Sequence, residues 1–486
     1  MRAAVFLRSG RTTTLLASAI GLTMFAGAMI VAFERPVPIF AALLLITAGL
    51  AVIRFPIVAL LFLLFAAPFH YAIFTALQNK AHVATGPLLY WKEGLLLALF
   101  VRAVIERLFV DLKFPLGDPG DGLLLFYIFA FLVIAIASPA RSTVWPAFDR
   151  YVEGPILLLT IVFLRPTRKQ LWWCLGAVVA CAAVMGGAAI YERFFARYSF
   201  HEWYGAGIGE SKAPFLVGKN GYRAGSFIYD PLILGFFLAG SVGLTATLAA
   251  FRSRWRAAML LAVAASGGGL IAAGTRSGFL GGSVALLVAL LLAIRDPAIR
   301  LAVVGIAIVV GGSLWLYYYA AGSQFLVRPE SDTAHQERVE RGFDLLQAQP
   351  FGYGLGTTDR FSSQEGFGAG QLGFTENTYL ATALESGMQG LVLYLVALFG
   401  TAMRLRAVRR RALRAGDVAG TALAVGGLAA MAGIVVSGLF LGVHEQVVEE
   451  MLWGPAGIAI AWALASGRSD TDGAPSGQPE YEARPA

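Results

Sequence analysis

Four arginines stand out for the chemistry they could do: Arg223 in YRAGSFIYDP, Arg276 in AAGTRSGFLGG, and Arg338 with Arg341 in QERVERGFDLL. Arginine keeps its charge at any accessible pH, and its planar fork of donors matches phosphate oxygens while losing water more readily than an ammonium. Four of them converging would match a diphosphate. Each also has a plainer reading. Arg276 would anchor a helix end by snorkelling, and Arg223 would decorate a loop. Arg338 and Arg341, three apart on one helical face, would meet lipid headgroups or pair with Glu337 and Glu340.

Among the acids, Glu376 in FTENTYLATALESG opens a predicted helix and Glu385 lies nine residues further, inside an apolar run. Helix capping alone would account for Glu376, because the helix dipole favours a carboxylate there. An ionisable residue within a membrane is a functional candidate, and Glu385 would serve equally well as a hydrogen-bond partner of a neighbouring helix. His444, Glu445, Glu449 and Glu450 crowd one turn. Their spacing is a weak metal signal and reads better as a solvated acidic cap. No Walker-type phosphate loop, dinucleotide fingerprint or nucleophile elbow occurs, so no cofactor is expected and an ATP-driven pump is disfavoured. Cys174 and Cys181 are seven residues apart in one predicted helix, about 10 Å along its axis, which is beyond disulfide reach.

The elements that must position these residues are hydrophobic. Of 486 residues, 57% are hydrophobic and 14% charged, and the mean hydropathy is +0.69. That is more apolar surface than a water-soluble globule could bury, so a bilayer must be the solvent. A spanning helix needs about 20 apolar residues. Such runs fall near 12–33, 37–53, 55–76, 88–109, 121–138, 150–164, 171–192, 227–250, 256–273, 278–294, 298–320, 378–402, 421–441 and 449–466. The fold class is an all-α polytopic membrane protein with about 12–14 transmembrane helices. The first run follows Arg2, Arg8 and Arg11 but is too long for a signal peptide and has no small-residue cleavage site, so it reads as a retained span.

Placing both termini in the cytoplasm puts 23 of the 38 Lys and Arg on the cytoplasmic side, as the positive-inside rule requires. The net charge of +8 is thereby explained by orientation, with no nucleic-acid partner implied. Residues 1–466 form a single transmembrane domain. Residues 467–486, rich in Gly, Pro and Ser, read as a disordered cytoplasmic tail. Two long connections, about 193–226 and 321–377, fall on the outer face, where long loops usually carry function. The second holds a surface helix, His335 to Ala348, and then a glycine-rich turn, Phe351 to Gly356.

Arg223-Ala-Gly-Ser-Phe with Asp230-Pro231, Gly274-Thr-Arg-Ser-Gly278, and a large outer loop together resemble the O-antigen ligase and polymerase superfamily. That loop runs from Arg338 through Pro350–Gly356 to Glu376-Asn-Thr-Tyr-Leu380 and Glu385-Ser-Gly-Met-Gln-Gly390. The resemblance covers about Tyr222 to Tyr394. It implies a GT-C-like glycosyltransferase of the bacterial inner (cytoplasmic) membrane whose active site faces the periplasm. Its partners would be an undecaprenyl-diphosphate-linked glycan donor, a glycan acceptor, the lipid bilayer and other polysaccharide assembly proteins. In that family outer-face arginines hold the donor diphosphate, a role that falls here to Arg223, Arg276, Arg338 and Arg341. The ligases carry a proposed histidine base where this chain has Glu376, which favours a polymerase of O-antigen, capsule or exopolysaccharide type. Glu376, Arg276 and Arg338 are the catalytic candidates. Tyr353, Trp203, Asn377 and Tyr379 are candidates for holding sugar, and Tyr204, Phe351 and Phe367 offer further aromatic faces. The aromatics would equally form an interfacial belt. The alternatives are the ligase proper, a flippase for the same lipid-linked glycans, and a metal-dependent polyprenyl-phosphate-sugar transferase. A transporter should bury charge near the midplane in broken helices, whereas the charges here concentrate at the outer edge.

Overall fold

Several helices start where an acid or amide precedes the apolar run, because that side chain can accept from amides with no partner in the first turn. Asp118 accepts from Gly120 N at 2.8 Å and Asp230 from Leu232 N at 2.7 Å, each with proline at the next position, where a missing N–H costs nothing. Thr167 and Gln170 form a reciprocal capping box. Asn377 accepts from Tyr379 N and Leu380 N, both at 3.0 Å.

The computed structural model describes residues 49, 52, 54–80, 90–110, 118–139, 144–197, 199–200, 217–218, 221–228, 230–251, 255–294, 296–302, 305–306, 329–358, 377–440 and 446–469. The helices within them are α1 (Pro56–Ala66), which continues through a 3-10 turn into α2 (His70–Lys80), α3 (Trp91–Ile105), α4 (Pro119–Ala137), α5 (Val144–Leu164) and α6 (Arg168–Phe194). They are followed by α7 (Pro231–Ala250), α8 (Arg256–Ala273), α9 (Arg276–Ala293), α10 (Pro329–Ala348), α11 (Thr378–Arg414), α12 (Val418–Ser437) and α13 (Gln446–Ser469). One two-residue antiparallel pair joins Val217–Gly218 to Gly221–Tyr222.

The chain is an all-α, multi-pass membrane protein. Among the described residues nine helices are long and apolar enough to span a bilayer. The runs at 88–109 and 150–164 fall on α3 and α5. The first is only 15 residues long, and the second carries Asp149, Arg150 and Glu153. The run at 12–33 and most of those at 37–53 and 298–320 lie outside the described residues. Helix α13 continues through Ser469, and 470–486 lie outside.

The centre of the bundle is α7, α12 and the inner faces of α5 and α13, buried on nearly every side. Small residues permit this closeness, as is usual where helices pack in lipid without a hydrophobic driving force between them. Gly186 of α6 lies against the Ala265 carbonyl of α8, so any Cβ there would collide with main chain. Cys174 and Cys181 are buried packing residues of α6.

Candidate functional site

Helix α8 ends at Gly274, whose φ of 61° is the left-handed conformation that glycine adopts without strain. Thr275 turns the chain, and α9 begins at Arg276. The helix therefore starts two residues earlier than the apolar run suggested, which puts Arg276 in its first turn. Arg223 reaches this turn from the preceding loop. Its Nε and Nη2 donate to the Gly274 carbonyl at 3.3 and 3.0 Å, covering a carbonyl at the negative end of α8. Arg223 is thus bonded to the same two-residue junction from which Arg276 opens α9.

The loop carrying Arg223 is fixed from below by Glu192, fully buried near the end of α6. Glu192 accepts from the Tyr222 hydroxyl and from Ser226 N at 2.7 Å, while Ser226 Oγ donates to Met185 O at 3.1 Å. Ala224 N donates to Ala272 O at 3.1 Å, tying the loop to α8. Arg223 is therefore seated, not loose decoration.

The start of α11 meets the same region. Thr378 N donates to Gly438 O at 2.8 Å, Asn377 Nδ2 to Leu439 O at 3.0 Å, and Ser437 Oγ to Ser277 O at 3.1 Å. The first turns of α9 and α11 are thus joined through the last turn of α12.

At its tenth residue α11 breaks. Gly387 has φ 75° and ψ 173°, a conformation strained for any residue with a side chain. A break inside a bilayer exposes main-chain groups that lipid cannot satisfy. The glycine-rich loop supplies the partners. Tyr353 N donates to Leu384 O at 2.7 Å, Gly354 N to Glu385 O at 3.0 Å, and Met388 N to Pro350 O at 3.0 Å. The turn Phe351–Gly356 is therefore a docked segment with a fixed place against α11.

Glu385 holds this arrangement together. Its Oε2 accepts from the Tyr151 hydroxyl at 2.9 Å, and its Oε1 from Thr358 N at 3.2 Å and Thr358 Oγ1 at 2.6 Å. Of its two readings, the hydrogen-bonding one describes the observed contacts, and they reach both a neighbouring helix and the loop.

The other candidates are distributed unevenly. Arg338 and Arg341 lie exposed on α10, which extends from Pro329 and covers the predicted surface helix. Half-buried Tyr379 gives its hydroxyl to Val435 O at 2.6 Å, and Tyr353 gives its own to Leu345 O at 3.0 Å. Phe351 is 80% exposed. Glu376, Trp203, Tyr204, Phe367, His444 and Glu445 lie outside the described residues.

One expectation is corrected. Glu449 and Glu450 do not form a solvated cap, since both are buried. Glu449 accepts from Trp453 Nε1 at 2.6 Å. Glu450 lies beside Lys92 and Glu153, themselves 2% and 1% exposed and 3.8 Å apart between charged atoms. Lys92 also faces Glu93 at 3.6 Å. The charges are therefore not confined to the outer rim; a cluster lies buried inside the bundle. Lys92, Glu153 and Glu192 were missed from sequence although each interrupts an apolar run, the same signal that drew attention to Glu385.

Residues 259–395 match the Wzy_C family model, described as O-antigen ligase. The matched segment includes the Gly274–Arg276 junction, α10, the glycine-rich loop and the break at Gly387, while Arg223 lies upstream of it. The match supports the O-antigen ligase and polymerase superfamily. No curated protein matches the chain.

Proposed function

We propose that this chain of the O-antigen ligase and polymerase superfamily is an inverting, metal-independent glycosyltransferase. It would polymerise undecaprenyl-diphosphate-linked repeats on the periplasmic face of the bacterial inner membrane. The observation that carries the reading is that Arg223 is bonded to the same helix junction from which Arg276 opens α9, beside the start of α11. The positive end of α9 and two guanidinium groups favour an anion there.

In this reading Arg223 and Arg276, with Arg338 and Arg341 from α10, neutralise the diphosphate as it leaves, stabilising charge where it develops. Glu376, immediately before the capping Asn377, takes the proton from an acceptor hydroxyl. The acceptor oxygen bonds to the anomeric carbon from the opposite face as that carbon's bond to the diphosphate oxygen breaks, and the electron pair leaves with the diphosphate. Asn377, Tyr353, Tyr379 and Trp203 would border the sugars.

The printed family description favours a second reading, a ligase that hands the glycan to a lipid or protein acceptor. One experiment separates them. Purified protein in detergent is incubated with undecaprenyl-diphosphate-linked repeats and EDTA, and glycan length and lipid-diphosphate release are followed. A ladder of lengthening lipid-linked glycans is expected. Reaction only after a lipid or protein acceptor is added supports the ligase, and no reaction under any condition overturns both.

A further inference from the structure

Beyond its break at Gly387, α11 runs from 388 to 414, 27 residues or about 40 Å at about 1.5 Å per residue, against about 30 Å of hydrocarbon. Its last turns leave the apolar layer at the end opposite the candidate site and carry Arg404, Arg406, Arg409, Arg410, Arg411 and Arg414. Between residues 386 and 444 the only acid is Asp417. Arg404 is answered by Asp121 at 2.9 Å and Asp118 at 3.3 Å, and Asp417 is taken up by Arg168 at 3.5 Å and Trp462 Nε1 at 2.8 Å.

Arg406, Arg409 and Arg410 are different. Their spacing of three and four puts them on one helical face. The charged neighbours that act on Arg409 are Arg300, Arg406 and Arg410. Two of the four are held in place by the end of α9: Arg409 Nη2 donates to Leu292 O at 2.8 Å and Arg300 Nε to Ile294 O at 2.7 Å. Arg409 Nε is buried with no hydrogen-bond partner among the described residues. Helix α9, with 18 residues, is about 27 Å long, so its last carbonyls mark the edge of the hydrocarbon. The cluster therefore sits at headgroup depth, with two of its mutually repelling cations fixed in place.

We infer that these four arginines form a binding site for the phosphate of an anionic phospholipid. Guanidinium forks suit a phosphodiester's oxygens. Exposed apolar side chains flank the cluster toward the bilayer: Phe399 and Met403 on α11, Leu290 on α9, and Ile299 and Leu301 beside Arg300. A soluble anion would gain nothing from that surface, whereas acyl chains cover it. The site is independent of the proposed transferase chemistry.

The test uses full-length protein in detergent micelles doped with phosphatidylglycerol, cardiolipin or phosphatidylcholine, with bound lipid counted by native mass spectrometry. Anionic lipid should be retained several-fold over phosphatidylcholine. Converting exposed Arg406 and Arg410 to Gln should lower that retention about tenfold, at roughly a factor of several for each surface cation. The Arg406→Lys/Arg410→Lys protein should fall between, keeping charge without the fork. Equal retention of phosphatidylcholine and phosphatidylglycerol by the wild-type protein overturns the inference, whatever the variants do. So does unchanged retention by a Gln variant that elutes like the wild type. Displacement of the anionic lipid by millimolar inorganic phosphate assigns the site to a soluble anion instead and overturns the lipid.

Discussion

Glu385, eight residues into α11, has both carboxylate oxygens answered by donors from α5 and the glycine-rich loop. At the far end of the same helix, Arg406, Arg409 and Arg410 have one another and Arg300 for company. The difference follows from what surrounds each end. A buried charge that lacks partners costs several kcal/mol, so the chain must bring its own donors, and it breaks a helix at Gly387 and docks a loop to do so. At headgroup depth the solvent itself carries charge, and repulsion between arginines can be relieved from outside the protein. The first end is thus rigid and internally complete, the condition for holding reacting groups in place, and the second is complete only with its surroundings.

If this contrast is right, the end that carries the junction should dominate activity. Arg276→Ala is expected to reduce polymer formation by about 10²-fold or more, the scale for removing one donor that stabilises developing charge, while the protein remains in the membrane fraction. Glycan ladders from cells and an immunoblot of membranes measure both, and normal polymer length would sink the assignment.

Glu385→Ala comes next. It strands the Tyr151 hydroxyl and both Thr358 donors, at about 1–3 kcal/mol for each group left unpaired. The melting temperature in detergent should drop by several degrees and activity should fall with it. Glu385→Gln keeps two acceptor sites on one oxygen and should lie between. A melting curve unchanged by the alanine would mean that the loop is held by main-chain bonds alone. Gly387→Ala probes those bonds directly, because it imposes a left-handed φ on alanine and drives Cβ toward the Phe351 carbonyl. About 1–3 kcal/mol of strain is expected, read by the same melting curve; an unshifted midpoint would show that the break can close.

The membrane class and many of the helices were readable because spanning runs are long, apolar and capped by Asp, Asn, Pro or Gly. The Gly274–Arg276 junction was readable as a motif, since a helix that stops on glycine and restarts one residue later leaves a local signature. The docking of Phe351–Gly356 into the break at Gly387 was not, because it consists of main-chain bonds between segments some 30 residues apart, and main chain has no letter in the sequence. The same holds for Lys92, Glu153 and Glu450. Each is visible as a charge in an apolar run, but only the packing of α3, α5 and α13 makes them neighbours. Glu449 and Glu450 were misread because acids at a helix entry look alike whether they face water or the bundle.

The smallest expected effect is the sharpest test of the contrast. Arg406→Gln removes one exposed cation at the far end and leaves the Arg409 and Arg300 contacts with α9 untouched. It also removes a like charge three and four residues from Arg409 and Arg410, a relief of about 0.2–0.5 kcal/mol per pair. In zwitterionic detergent, where nothing offsets that repulsion, the variant should therefore melt at or slightly above the wild-type temperature. In micelles containing phosphatidylglycerol the order should reverse, because the wild type gains a ligand that binds only the folded state. Polymer length should be unaffected in either medium. A crossover in relative stability between the two media requires an anion at this face. The same order in both would mean that the arginines are merely tolerated there, and the two ends of α11 would then differ in burial alone.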